Sequence, residues 1–285
     1  MDIIYLNGQF IQKSSAKVSV LDRGFLFGDG VYEVIPTYQR KPLGLKLHLN
    51  RLDKSLNAIH IKPPYSLDQW KSILKQLMAA NQLTDQNFSF YLQVTRGETN
   101  ERLHEFPKNV TPTVMICCKT LLSPSIETLK KGFNAISLPD ERRQNCYIKS
   151  INLLPNVLAY QQAKSKNAIE AILINNGYAL EASSSNLFIV KNNILITPPL
   201  SPKILSGITR HIILQLAKQN AISVIERMIK ENELYDADEV WVTGSNKEIC
   251  PITQLNNQSI SVTVGPLWHE MYQLYQHYKT TEDVL

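Results

Sequence analysis

Apolar residues in this chain never settle into one period. They switch repeatedly between a spacing of two and a spacing near 3.6. Leu45, Leu49, Leu52, Leu56 and Ile59 recur at helical spacing over 45–60. Trp70, Ile73, Leu74, Leu77 and Met78 repeat that pattern over 67–81. The stretches 31–38, 88–95 and 113–119 are instead rich in β-branched and aromatic residues, which suit a pleated surface. Near the N-terminus, Ile3-Ile4-Tyr5-Leu6, Asn7-Gly8 and Gln9–Gln12 read as strand, tight turn and return strand. Mixed helix and strand of this kind predicts an α+β fold.

The chain is long enough, at 285 residues, for one large or two medium domains. Leu121-Leu122-Ser123-Pro124-Ser125 is the best linker, dividing a smaller α/β domain, 1–120, from a larger one, 121–285. Past the linker we expect a strand near Ala135, a helix over 152–165 and paired strands at 168–174 and 186–190. A helix over 207–219, a strand over 239–243 and a C-terminal helix from Gly265 follow.

Charge and cysteine content narrow the function classes. The net charge is +5, with 30 Lys and Arg interleaved among 25 Asp and Glu, and no basic block tracks a phosphate backbone. Nucleic-acid binding is therefore not expected. Cys117, Cys118, Cys146 and Cys250 form no CxxC pair, and the histidines show no HExxH spacing, so no metal site is expected. No apolar segment is long enough for a bilayer, and the first residues lack the pattern of a signal peptide. These features predict a cytoplasmic enzyme without a membrane partner.

Several polar residues stand in places that suit chemistry, and each also has a plain structural reading. Lys149 lies in Cys146-Tyr147-Ile148-Lys149-Ser150-Ile151, where desolvation would free its amine as a nucleophile; taken alone, the segment favours the plain reading, a lysine extending from a helix start. Glu181 precedes Ser183-Ser184-Ser185-Asn186, whose hydroxyls and amides could hold phosphate or carboxylate oxygens; a solvated turn is the alternative. Gly207 opens a helix whose Ile208 and Thr209 amides would face an anion, or simply begin a helix. Val242-Thr243-Gly244-Ser245 ends a strand in further donors. Arg51 could reach a phosphate or form a salt bridge. Arg102 and His104, two residues apart on an extended segment, could serve one carboxylate or belong to a polar loop. Gly24-Phe25-Leu26-Phe27-Gly28-Asp29-Gly30 fits neither a Walker A loop nor a Rossmann fingerprint, and reads as a turn before the strand at Val31.

Taken in order, these segments resemble the class IV, branched-chain-type aminotransferases of PLP fold type IV. The resemblance rests on Gly-Asp-Gly-Val-Tyr-Glu-Val at 28–34, His-x-x-Arg-Leu at 48–52 and Gln-Val-Thr-Arg-Gly at 93–97. It continues through Ile-Lys-Ser-x-Asn-Leu-Leu at 148–154, Glu-x-Ser-Ser-Ser-Asn at 181–186 and Gly-Ile-Thr-Arg at 207–210. It implies two α/β domains with the cofactor site at their interface, and a homodimer. Lys149 would carry pyridoxal 5'-phosphate (PLP) as an imine and Glu181 would pair with its pyridine nitrogen. Arg51, Ile208, Thr209 and Ser245 would hold the phosphate. Ser184, Ser185 and Asn186 would line the cofactor, and Leu205 would support the ring face.

Within this family Tyr32, Arg102 and His104 resemble the carboxylate trap of the D-amino-acid aminotransferases, in which the Arg and His come from the partner subunit. The implied reaction takes D-alanine and 2-oxoglutarate to pyruvate and D-glutamate, its only partners being small D-amino acids and 2-oxo acids. Branched-chain L-amino-acid aminotransferases and aminodeoxychorismate lyases share the cofactor motifs but lack Arg102-x-His104 followed by Phe106-Pro107; they are the alternatives. A non-enzymatic binding protein on a decayed fold is a more distant one, opposed by the joint presence of Lys149, Glu181 and Arg51.

Overall fold

Asn7 and Gly8 take positive φ, 48° and 93°, as a two-residue hairpin turn requires. The turn folds β1 (Ile3–Leu6) back onto β2 (Gln9–Gln12). The computed structural model describes residues 1–84, 86–261, 264–281 and 285, and the chain divides into two compact units. The first gathers Met1–Leu122, Ile148–Asn152 and Lys279–Leu285; the second holds Ser123–Tyr147 and Leu153–Tyr278.

In the first unit, a short helix stands where the sequence predicts a turn. Asp22 accepts from the Gly24 amide to cap α1 (Arg23–Phe27), and Gly28 ends it with φ 67°. An N-cap aspartate and a left-handed glycine bracket one helical turn. The chain then runs through β3 (Gly30–Tyr38), β4 (Lys41–Pro42), α2 (Leu45–Ala58), α3 (Leu67–Ala80), β5 (Phe88–Thr95) and β6 (Thr113–Thr120). The six strands form one antiparallel sheet in the order β2-β1-β6-β5-β3-β4. Helices of this length are marginal alone. Their predicted stripes, Leu49, Leu52, Leu56, Trp70, Leu74 and Leu77, are buried in one core with Ile35, Phe90 and Leu92 of the sheet. That burial, about 1.5–3 kcal/mol for each large side chain, outweighs helix propensity. The segment around Lys149 runs along β3: the Tyr32 amide donates to Lys149 O and the Ile151 amide to Gly30 O.

The second unit contains α4 (Ile126–Lys130), β7 (Phe133–Pro139), α5 (Leu154–Ser165), β8 (Glu170–Asn175), β9 (Tyr178–Ala182), β10 (Asn186–Lys191), β11 (Ile194–Thr197) and α6 (Ile208–Gln219). It continues through β12 (Val224–Glu226), β13 (Ile229–Lys230), α7 (Glu233–Asp236), β14 (Glu239–Gly244), β15 (Glu248–Leu255), β16 (Gln258–Ser259) and α8 (Pro266–Thr281), whose last three residues belong to the first unit. Strand β9 pairs with both β8 and β10, so β10, β14, β15, β7, β8 and β9 close into a ring. Ala182, Leu187, Ile189, Val240, Val242 and Ile252 share its apolar core. Residues next to them in sequence alternate to the opposite face.

Three elements differ from expectation. The strands at 168–174 and 186–190 are not each other's partners. Asn176 and Gly177, both at positive φ, make a two-residue turn that places β9 against β8 first. Helix α5 starts at Leu154 rather than 152, with Pro155 in its first turn and Leu153 outside helical geometry. Strand β15 has no counterpart in the sequence reading, because Pro251 sits within it and proline ordinarily argues against a central strand.

Candidate active site

The first unit carries Lys149 and Tyr32 together. The β3 register turns Tyr32 to the side opposite Val31 and Glu33, and its ring stacks on Tyr91 at 5.7 Å. Lys149 Nζ lies 4.1 Å from the centroid of the Tyr32 ring, and the Lys149 amide donates to Ser55 Oγ at 3.2 Å. The lysine is therefore fixed at its backbone by β3 and α2, with its amine against an aromatic face.

Arg51 and His48, one turn apart on α2, both meet Glu33. Arg51 donates through Nε to Oε1 and through Nη2 to Oε2, each at 2.7 Å, and His48 Nδ1 lies 2.7 Å from Oε2. All three side chains are buried. Burial alone would raise the Glu33 carboxyl, but the Arg51 charge and its hydrogen bonds, helped by His48, hold it down at about 2. A carboxylate can only accept, which places the His48 proton on Nδ1. Burial keeps that imidazole below its ordinary pKa. Arg51 thus forms a salt bridge, but a buried one that anchors a cation.

Arg102 and His104 are exposed and both lie against Phe27 of α1. The Arg102 guanidinium is 4.8 Å from that ring's centroid and the His104 ring 5.3 Å from it. One aromatic ring brings the predicted pair together.

In the second unit, the row Glu181, Asn186 and Thr243 crosses β9, β10 and β14 as register partners, on the face away from the ring's core. Glu181 is 4% exposed. Its Oε1 accepts from Arg142 Nη1, and its Oε2 accepts from Asn186 Nδ2 and the Leu205 amide, both at 3.1 Å. Arg142 is itself bidentate to Asp140. Desolvation raises the Glu181 carboxyl to about 7 against these donors. Asn186 also donates to Leu205 O, so Leu205 is tied to the pair through both its backbone groups. The hydroxyls of Ser183, Ser184 and Ser185 donate to Glu170, which is fully buried and also paired with Lys247. Ser184 and Ser185 therefore present backbone, rather than hydroxyl protons, to a ligand.

The residues fit PLP. Gly207 gives α6 no side-chain cap, leaving the helix's positive end to an anion. A Cβ at Gly207 would overlap Asn186 Oδ1, so glycine keeps that approach open. Beside this row Thr243 Oγ1 is buried without a hydrogen-bond partner, an orphan that a phosphate oxygen would satisfy. Ser245 follows in the half-buried turn between β14 and β15. Burial disfavours the Glu181 anion, which a cationic partner such as a protonated ring nitrogen would stabilise.

Sequence reasoning places Glu33 and His48 within motifs but gives them no role, and does not single out Arg142, Glu170 or Lys247. One signal was available. Glu170 is the only acid in the apolar run 168–174, and a buried carboxylate needs partners. Arg142 lies in an aperiodic loop with no such marker.

Comparison with known proteins identifies the family. The Amino-transferase class IV family model matches residues 30–255. The D-alanine aminotransferase of Bacillus licheniformis is 40% identical over 265 residues, 93% of this chain and 92% of that protein. That of Listeria monocytogenes serotype 1/2a is 36% identical over 274 residues, 95% and 94% of the two chains. Among solved structures, the Escherichia coli branched-chain amino acid aminotransferase superposes with a TM-score of 0.90 at 26% identity, covering 99% of this chain and 96% of that one. The T.th. branched-chain enzyme with pyridoxamine 5'-phosphate gives 0.89 at 26%, covering 98% and 94%. A chain that carries the motifs in order and aligns with such proteins from end to end belongs to the class IV aminotransferases, enzymes that work with PLP.

Proposed function

We propose that this enzyme is a D-amino-acid aminotransferase that moves the amino group of D-alanine to 2-oxoglutarate, giving pyruvate and D-glutamate. The observation that carries the reading is the Arg102 and His104 pair on Phe27, exposed and 4.8 and 5.3 Å from one ring. The full-length relatives named D-alanine aminotransferase support it.

PLP, when bound, supplies an aldehyde for the amino group and a ring that accepts the electron pair left by Cα–H cleavage. Lys149 Nζ would hold the cofactor and would take the proton from Cα as a general base. Glu181 would accept from the cofactor's pyridine N–H, its carboxylate held by Arg142, Asn186 and the Leu205 amide. Arg51, Ile208, Thr209 and Ser245 would hold the phosphate and so fix the orientation of the bound cofactor. Ser184, Ser185, Asn186 and Leu205 line the cofactor. Tyr32, Arg102 and His104 hold the α-carboxylate on one side, so that the D-enantiomer alone turns its hydrogen toward Lys149.

The working species is a cytoplasmic homodimer, in which Arg102 and His104 serve substrate bound by the other subunit. Its ligands are small D-amino acids and 2-oxo acids. An enantiomer-resolved assay tests the reading: D-alanine with 2-oxoglutarate should yield pyruvate and D-glutamate. Faster turnover of L-leucine would overturn it in favour of the branched-chain alternative. Borohydride reduction should fix the cofactor on the peptide containing Lys149.

A further inference from the structure

Two of the motifs that run through this chain have no part in the chemistry above: Gly28-Asp29-Gly30 and Gln93-Val94-Thr95-Arg96-Gly97. In the first unit they meet. Arg96 donates to Asp29 through Nε at 2.7 Å and Nη2 at 3.0 Å. Arg23, from the start of α1, donates to the same carboxylate through Nε at 2.8 Å. Both guanidiniums are buried, at 4% and 6% side-chain exposure. Burial alone would raise the Asp29 carboxyl, but the two arginines hold it below its ordinary range. Only one carboxylate is shared between two cations, so the group does more than neutralise charge.

What the two cations do besides is visible in their remaining contacts. Arg23 Nη1 donates to Leu103 O at 2.6 Å and Glu105 O at 3.3 Å, and its Nη2 to His104 O at 3.4 Å. One guanidinium therefore grips three successive carbonyls of the segment that carries Arg102 and His104. That segment has no helix or strand of its own, and residues 101–106 are all exposed. Arg96 stacks on the ring of Phe106 at 3.8 Å and is itself tied to Ile59 O and His60 O, at the C-terminal end of α2. The segment is thus held at both ends by buried cations that meet on one aspartate.

We propose that Arg23 and Arg96, joined through Asp29, are positioning residues for substrate-carboxylate recognition: they brace residues 102–106 so that Arg102 and His104 are presented in one geometry. Neither arginine touches the substrate. The inference rests on the reading of Arg102 and His104 as the carboxylate trap. A loosened carboxylate contact weakens substrate binding, while Lys149 keeps its own anchors on β3 and α2, so the effect falls chiefly on KM.

The test compares Arg23→Met and Arg23→Lys with Arg102→Ala in the PLP-loaded enzyme. Lysine keeps the charge beside Asp29 but loses the planar grip on three carbonyls. Both Arg23 variants should raise KM for D-alanine about tenfold, with kcat within about twofold of the parent. The inhibition constant for propionate, a carboxylate with no amino group, should rise in parallel. The absorbance of bound PLP and the thermal midpoint of Arg23→Lys should stay at parent values. Amides 103–106 should exchange hydrogen faster. If Arg102→Ala raises KM and propionate inhibition is unchanged in Arg23→Lys, the brace is overturned while the trap stands. If Arg102→Ala leaves KM unchanged, the trap falls and the brace falls with it.

Discussion

Glu33 has no step in the proposed reaction, yet it decides what Arg51 is. Without it, the guanidinium and the imidazole that α2 buries would lose the carboxylate they share. Its carboxyl is held at about 2, below the 4.5 of an unperturbed glutamate. A folded value below the unfolded one means that the unfolded chain takes up the proton first as pH falls. The stability Glu33 contributes is therefore complete above about pH 4.5 and is lost as pH falls toward about 2. Glu33→Gln should cost about 3–5 kcal/mol at neutral pH, because it removes the negative charge that compensates a buried cation. Urea unfolding of parent and variant across this acid range should show the gap narrowing as pH falls. The motif around Arg51 was legible in the sequence; its partner was not, because Glu33 lies on a strand and nothing local links it to α2. Arg142 was hidden for the same reason, its carboxylates coming from a loop and from β9.

At the scale of elements, strong periodicity was readable. α2, α3, β3, β5 and α6 lie where their apolar spacing puts them, because each buries one face and the spacing states which. Short elements were not readable. α1 depends on one capping aspartate and one left-handed glycine, and β15 keeps its place through pairing with β14 and β7 despite Pro251. The start of α6 shows why an element's end can matter more than its middle. Gly207 has an ordinary φ of −67°, so alanine would cost little in the backbone there. Its Cβ, however, would push Asn186 off Glu181 and Leu205. Overpacking of this kind costs about 1–3 kcal/mol. Gly207→Ala should weaken PLP binding by about tenfold or more, the same energy expressed as affinity. Titration of the apoenzyme with PLP, followed by protein fluorescence, measures this directly.

At the scale of the whole molecule, the surface adds to the reading. Val20, Phe25, Leu103 and Phe106 of the first unit are exposed, as are Leu154, Val157 and Leu158 along α5 of the second. Leu154, Val157 and Leu158 fall at i, i+3 and i+4 on one face of α5, and an exposed apolar stripe of this kind marks a surface that another protein covers. Sedimentation should therefore give a species of about 65 kDa, twice the 32.4 kDa chain, and a monomer at micromolar concentration would remove the homodimer from the proposal. Among the described residues no helix is long and apolar enough to cross a membrane, and no group of three metal-ligating side chains forms. The sequence by itself determined the alternation of helix and strand and the order of the motifs that contain Lys149, Glu181 and Arg51, since period and residue type are local properties. Tertiary structure alone decided that β9 closes a ring, that 148–152 joins the first unit, and that Asp29 gathers two arginines around the loop of Arg102 and His104. Those facts depend on hydrogen bonds and charge pairs between residues far apart in the chain, which no local pattern records.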